Sequence, residues 1–404
     1  MTKKVFDGVK VADFTWVGAG PITVKFLADH GATVIHIESR TQPEALRITP
    51  PFRDGIPGLN RSAYQASFNN NKCGLSLDLK HPRAREVLKR LVEWADIVAE
   101  SFSPGTMARW GLAYEDLMKI KPGIIMYSTS QQGQTGRRAK VAAYGTQLVS
   151  LAGFTSLAGW PDRGPTGPYG PYTDMPTPPV GAAAIAAALD YRRRTGRGVH
   201  IDLSQYETGI NFFAPVILDY TVNKRVQRGQ GNRCSYAAPH GIFLCKGDDR
   251  WCAIAVFEDS EWKSLCNIMG NPAWAKKPEF STLLLRKKNE DKLEKLLSKW
   301  TTNYDAEELM YKLQESGVPA GLVENAEDIH NDPQLAHRHY LWELDHPEIG
   351  KHSYEAPPFI LSKTPAELNK SGPCLGEDTE YVCTRLLGIP DDHFIELLAQ
   401  GVFE

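Results

Sequence analysis

Apolar positions along the first third of the chain alternate between two spacings. Val9 to Asp13 is a short apolar run, Ile22 to Asp29 has helical spacing, and Thr33-Val-Ile-His-Ile37 is strand-like, ending at Glu38. Gly31 stops the helix, so the segment predicts a strand–helix–strand unit with Gly18, Gly20 and Pro21 in its first turn. Pro21 suits a first helical turn, which would leave backbone N–H groups near Gly18 to Ile22 facing a phosphate or carboxylate. The alternation then repeats. Asn69 to Asp78 reads as a polar turn and a short strand, and Leu79 to Trp94 as an amphipathic helix with Val87, Leu88, Leu91 and Val92 on its buried stripe. Asp96 to Glu100 and Ile124 to Ser128 are further strands, with a helix over Thr106 to Arg109 between them. Strands alternating with helices predict an α/β fold with a parallel sheet, which binds ligands at the carboxyl ends of its strands.

Further on, a loop dense in Pro and Gly, Tyr169 to Gly181, runs into an Ala-rich helix, Ala182 to Arg194, closed by Thr195-Gly-Arg-Gly198. Thr177 is the expected N-cap, Pro178 and Pro179 fit the first turn, and Arg192 to Arg194 suit the C-terminal end of the helix dipole. Asp174 is the loop's carboxylate. Local sequence leaves it two roles, a turn or capping residue, or an acid kept ionised by the helix N-terminus. Val199 to Glu207 predicts a strand entering a helix, 223–235 a polar linker, and His240 to Phe257 a hairpin. Helices are expected at Trp262–Met269, Lys287–Lys299 and Ala306–Ser316, then a strand-like return at Val318–Glu324 and a closing helix at His393–Gln400.

Composition narrows the function classes. With 42% apolar and 23% charged residues and a net charge of −2, nothing points to nucleic acid, and no apolar run is long enough for a membrane span. The N-terminus does not read as a signal peptide, and seven scattered cysteines without a C-x-x-C pair fit a reducing cytoplasm. The histidines offer no H-E-x-x-H pattern, so no metal site is expected; G-x-S-x-G and Walker A motifs are missing too. Thr23 stands where a dinucleotide fingerprint needs its third glycine, which argues against a dehydrogenase. Asn69 to Lys72, Lys80, Arg109, Arg137, Arg138 and Lys140 place cations at predicted loop ends. They are either solvated surface charge or a site for a polyphosphate such as coenzyme A.

The ordered motifs resemble a known family. Asp7 to Thr15, Ala19-Gly-Pro21, Leu27 to Glu38, Asn71-Lys72, Leu77-Asp-Leu-Lys80, Ala95 to Glu100, Phe102, Pro104-Gly105, Arg192 to Asp202, Gly317 to Gly321, Asn331 to Gln334 and Leu375-Gly-Glu377 look like class III CoA-transferases, the formyl-CoA transferase and carnitine CoA-transferase family. The resemblance implies a Rossmann-like large domain (1–200 and 331–404), linkers at 201–225 and 326–330, and a smaller α+β domain at 226–325, in an interlocked dimer or a heteromer with a paralogous subunit. It implies CoA transfer from an acyl-CoA such as succinyl-CoA to a carboxylic acid, with CoA thioesters as substrates and no tightly bound cofactor. Asp174 falls at the nucleophile position, and Val17, Leu77, Lys80, Phe102, Arg109 and Tyr144 at CoA-binding positions.

Three departures bear on the acid. The family's glutamine is Gly18 here, its asparagine after the Glu100 position is Ser101, and the formyl-CoA transferase glycine loop is replaced by Ser235 to Gly241. The resemblance therefore points away from formyl-CoA and oxalate. Tyr172-Thr-Asp-Met-Pro-Thr-Pro resembles the branch acting on arylacrylates and benzylsuccinate, with Gly18 expected to leave room for a larger acyl group and Trp16 to add apolar surface. An α-methylacyl-CoA racemase on the same fold would need Gly-His-Asp where this chain has Ala143-Tyr-Gly-Thr146, and so lacks its acid/base pair.

Overall fold

The computed structural model describes residues 3–141 and 144–404, so Ala143 of the racemase comparison lies outside them. The chain divides into two compact units, one of residues 1–154, 167–226 and 333–404, the other of 155–166 and 227–332.

The first unit is built on a six-stranded parallel sheet. Its strands are β1 (Lys10–Phe14), β2 (Thr33–Glu38), β3 (Cys73–Ser76), β4 (Ile97–Glu100), β5 (Ile125–Ser130) and β6 (His200–Ser204). Their order is β3-β2-β1-β4-β5-β6, that of a Rossmann-like doubly wound fold, with the topological switch between β1 and β4. Alternation along the strands feeds two cores. Ala12, Phe14, Ile35, Val98 and Met126 face the helix Ala84–Trp94 with Val87, Leu88 and Leu91. Val11, Val34, Ile97, Ile125 and Tyr127 pack with Val24, Leu27 and Ile185. Each fully buried aliphatic side chain contributes about 1.5–3 kcal/mol. The helix expected from Leu79 starts at Ala84, after the turn that holds Pro82.

The long helix runs Thr177–Thr195, with Pro at its start and Gly196 at φ +73° closing it. Thr177 is not its N-cap: the preceding residue is Pro176, and the Thr177 hydroxyl donates back to the Thr173 carbonyl at 2.8 Å. The residue lies one position inside the helix, where a hydroxyl reaches the preceding turn instead of a free N–H. The C-terminal part of this unit adds an antiparallel hairpin, β10 (Leu341–His346) and β11 (Gly350–Glu355), which strand patterning did not anticipate.

The second unit carries the antiparallel sheet β7 (His240–Leu244), β8 (Trp251–Ala255) and β9 (Ala320–Leu322). Trp262, Phe280, Leu297 and Leu309 fill its core. The single helix expected at Lys287–Lys299 is two, Leu283–Lys288 and Glu290–Thr301, interrupted at Asn289. All seven cysteines are free thiols, and among the described residues no helix is long and apolar enough to cross a membrane.

Candidate active site

The site forms where β1 and β4 part, because neighbouring strands that wind in opposite directions leave a crevice at their carboxyl ends. Beyond β1 the chain is strapped down at Trp16. Its backbone N–H donates to Ser101 Oγ at 2.8 Å, Ser101 Oγ donates to the Trp16 carbonyl at 3.0 Å, and the indole N–H donates to the Ile37 carbonyl at 3.2 Å. The Trp16 ring meets Phe102 edge-on at 5.2 Å. Val17 then takes φ +71°, a left-handed conformation costing a β-branched residue about 1–3 kcal/mol. Its N–H donates to Glu44 Oε1, which helps hold it there.

Gly18 follows, and Asp174 lies against it. An ideal Cβ on Gly18 would sit 2.7 Å from Asp174 Oδ2, so the carboxylate as placed uses the space that a side chain at Gly18 would fill. The space expected at Gly18 for a larger acyl group is therefore occupied by the aspartate. Asp174 ends a short 3₁₀ turn, Tyr172–Asp174, ahead of the long helix. It is 8% exposed, and among the described residues no donor reaches its carboxylate. Burial pushes its carboxyl up to about 6. Desolvation thus outweighs the downward pull expected from the helix N-terminus.

Asp174 borders a cavity of about 440 Å³. Trp16, Val17, Phe102, Val141 and Tyr144 line one part, while Ser130, Gln131, Gln147 and Gln205 add polar groups. No Lys, Arg or His is among the described residues lining it. Glu100, at the end of β4, is a second buried acid, raised to about 7 by burial despite accepting from the Phe102 N–H at 2.7 Å.

A profile of CoA-transferase family III matches residues 6–379. The chain belongs to CoA-transferase family III. It is an α/β enzyme of CoA transfer, a family whose substrates are CoA thioesters. The succinyl-CoA–D-citramalate CoA-transferase of Chloroflexus aurantiacus is 31% identical over 98% of this chain and 97% of its own length. The human succinyl-CoA:glutarate CoA-transferase is 28% identical over 99% of this chain and 90% of its own. Among solved structures, a CaiB/BaiF family protein from Brucella suis superposes with a TM-score of 0.87 at 29% identity, covering 95% of this chain and 100% of that one.

In this CoA-transferase the residues expected to bind CoA fall into two groups. Val17, Phe102 and Tyr144 line the cavity with Asp174. Leu77, Lys80 and Arg109 do not: Leu77 is in the hydrophobic core, and Lys80 and Arg109 are exposed, with Arg109 donating to Thr106 Oγ1 at 2.9 Å. Lys72, one of the cations considered for a polyphosphate, is fully buried. It donates to Asp13 Oδ2 at 2.9 Å and Asn69 Oδ1 at 2.8 Å, so its charge is already neutralised.

Sequence reading also missed what surrounds Lys72. His36 bridges Asp13 (3.1 Å) and Glu44 (3.3 Å), and Arg47 forks onto Glu38 with both contacts at 2.6 Å. Burial pulls His36 down, but its bonds to Asp13 and Glu44 outweigh that and hold it up at about 9. His36, Glu38 and Glu44 lie close enough together to ligate a metal, but each already has an ionic partner, His36 with Asp13 and Glu44, and Glu38 with Arg47.

Proposed function

We propose that this enzyme moves CoA from a succinyl-CoA-type donor to an organic acid, with Asp174 as the nucleophile. The donor and acceptor classes follow the two relatives' names, in which succinyl-CoA donates and the acceptor is citramalate or glutarate; the resemblance of Tyr172 to Pro178 to the arylacrylate and benzylsuccinate branch adds benzylsuccinate as a candidate acceptor. The observation that carries the reading is the Asp174 carboxylate, buried without a donor beside the cavity that also holds Val17, Phe102 and Tyr144.

One Asp174 oxygen attacks the thioester carbonyl carbon. The carbonyl π pair moves to oxygen and returns as the C–S bond breaks, leaving a mixed anhydride and CoA thiolate. The thiolate attacks the aspartyl carbonyl, the anhydride C–O bond breaks, and the donor acid leaves as carboxylate. The acceptor carboxylate attacks the aspartyl-CoA thioester, and the same two steps in reverse deliver its CoA thioester. Poor solvation makes Asp174 a stronger nucleophile than a surface carboxylate while leaving it mostly ionised at pH 7. Phe102 and Val17 supply apolar contact for the cofactor-like part of CoA, Tyr144 borders its path, Leu77 backs that wall from the core, and Lys80 and Arg109 are exposed cations for its phosphates.

The enzyme is further proposed to act as a dimer or as one subunit of a paired assembly in the cytoplasm. The helix Ala214–Asn223 buries none of its residues and exposes Ile217, Leu218, Tyr220 and Val222, a surface that association would cover. The activity is tested by CoA exchange with succinyl-, acetyl- and aryl-acyl-CoA donors against glutarate, citramalate and benzylsuccinate. Succinyl-CoA with a dicarboxylate is expected to give the highest kcat/KM, and Asp174→Ala to lose about 10⁴-fold or more. Unchanged exchange in Asp174→Ala would rule out this chemistry.

A further inference from the structure

The helix Ala19–Asp29 begins inside the cavity, at Gly18, Ala19 and Gly20, all three buried. Ile22 N–H is used by the Gly18 carbonyl at 3.2 Å, and Pro21 has no N–H. For the N–H groups of Gly18, Ala19 and Gly20 no acceptor lies within hydrogen-bonding distance among the described residues, and no side chain caps the helix. Buried helix N-termini are ordinarily capped or bound to a ligand, since an unpaired N–H there costs about as much as a lost hydrogen bond. The second observation is Asp174. The residue is 8% exposed, its carboxylate has no donor among the described residues, and it lies against the helix start at Gly18.

We propose that the free N–H groups at Ala19 and Gly20 form the oxyanion hole for the tetrahedral intermediates centred on Asp174's own carbonyl carbon. This rests on Asp174 being the nucleophile. When CoA thiolate or an acceptor carboxylate adds to the acylated aspartate, the C=O π pair moves onto the aspartyl oxygen. That oxygen becomes the anion, and the pair returns as the leaving carboxylate or thiolate departs. The donors do not engage the resting carboxylate, so they favour the intermediate over the ground state, as a catalytic contact must. The helix dipole adds to the same field.

Ala19 is the first helical residue, a position that tolerates proline, so Ala19→Pro deletes one donor with little harm to the helix. Exchange between succinyl-CoA and glutarate is expected to lose about 10²-fold in kcat with KM for succinyl-CoA little changed, while Ala19→Gly, which keeps the N–H, stays near wild type. A folded Ala19→Pro enzyme with wild-type kcat overturns the inference. A second readout needs no proline variant. In wild-type enzyme labelled with ¹³C at aspartate carboxyls and held with succinyl-CoA without acceptor, the aspartyl thioester carbonyl stretch should lie below that of a free aspartyl thioester peptide. An unshifted band contradicts the hole. If wild type exchanges no CoA and forms no adduct, the nucleophile reading fails, and the oxyanion hole with it. If exchange and adduct are present but neither readout moves, only the oxyanion hole fails.

Discussion

Asp13, His36, Glu38, Glu44, Arg47 and Lys72 are all buried in the α/β unit, each beside a group of opposite sign; Asp174 is buried in the same unit and has none. The physics of burial is the same for both, since removing a charge from water costs several kcal/mol. The responses differ. Lys72, His36 and hydrogen bonds hold Asp13 far below the usual carboxylate range against its desolvation, so it is a fixed ion. Asp174, with desolvation unopposed, rises to about 6. A charge buried with partners is structural, here clamping Val17 through Glu44; a carboxylate buried without them retains the reactivity that partners would quench.

The largest effect expected from breaking this contrast is catalytic. Gly18→Val would press a branched side chain against Asp174 Oδ2, 2.7 Å from where its Cβ would stand, and a displacement of about 1 Å should cost roughly 10²-fold in kcat. Stopped assays at saturating succinyl-CoA would show it; full activity would mean Asp174 is not seated as described. Next comes the network. Lys72→Met leaves Asp13 and its neighbours one cation short and should cost about 3–5 kcal/mol in urea unfolding. A loss below about 1 kcal/mol would show the six charges to be less interdependent than their contacts suggest.

Asp174→Asn should do the opposite. The native carboxyl at about 6 lies above its ordinary 3.8, so the native state prefers the protonated form. That penalty is absent below pH 3.8, grows to pH 6 and is complete above it. The asparagine variant should therefore be the more stable by about 1–3 kcal/mol at pH 8, with the gain fading near pH 4. For the same reason wild-type kcat/KM should fall about tenfold per unit below pH 6. The smallest effect belongs to an exposed set, Arg83, Glu86 and His393, whose charges are paired in solvent. Glu86→Gln should leave the melting temperature within error.

Much of the sheet was legible because its strands are buried on both faces and read as apolar runs, with helices between them at 3.6-residue spacing. The nucleophile loop was also visible, through its Pro and Gly density and a family-wide resemblance. The ionic network was not. Lys72 and Arg47 carry no sequence mark distinguishing a buried cation from a surface one, and Lys72 was counted among cations for phosphate. The β10–β11 hairpin was hidden by polar residues in Leu341-Trp-Glu-Leu-Asp-His346 and Gly350-Lys-His-Ser-Tyr-Glu355. Thr177 shows the limit of local cap reading: a Thr before Pro-Pro fits a cap, but the chain enters the helix one residue sooner.

The most direct measurement is to find the acylated residue. The enzyme is mixed with succinyl-CoA without acceptor, treated with hydroxylamine or borohydride, digested and mapped by mass spectrometry. Modification is expected on Asp174 alone, and none in Asp174→Asn. Modification of another carboxylate, or an unmodified Asp174 in enzyme that exchanges CoA at its full rate, would contradict the account.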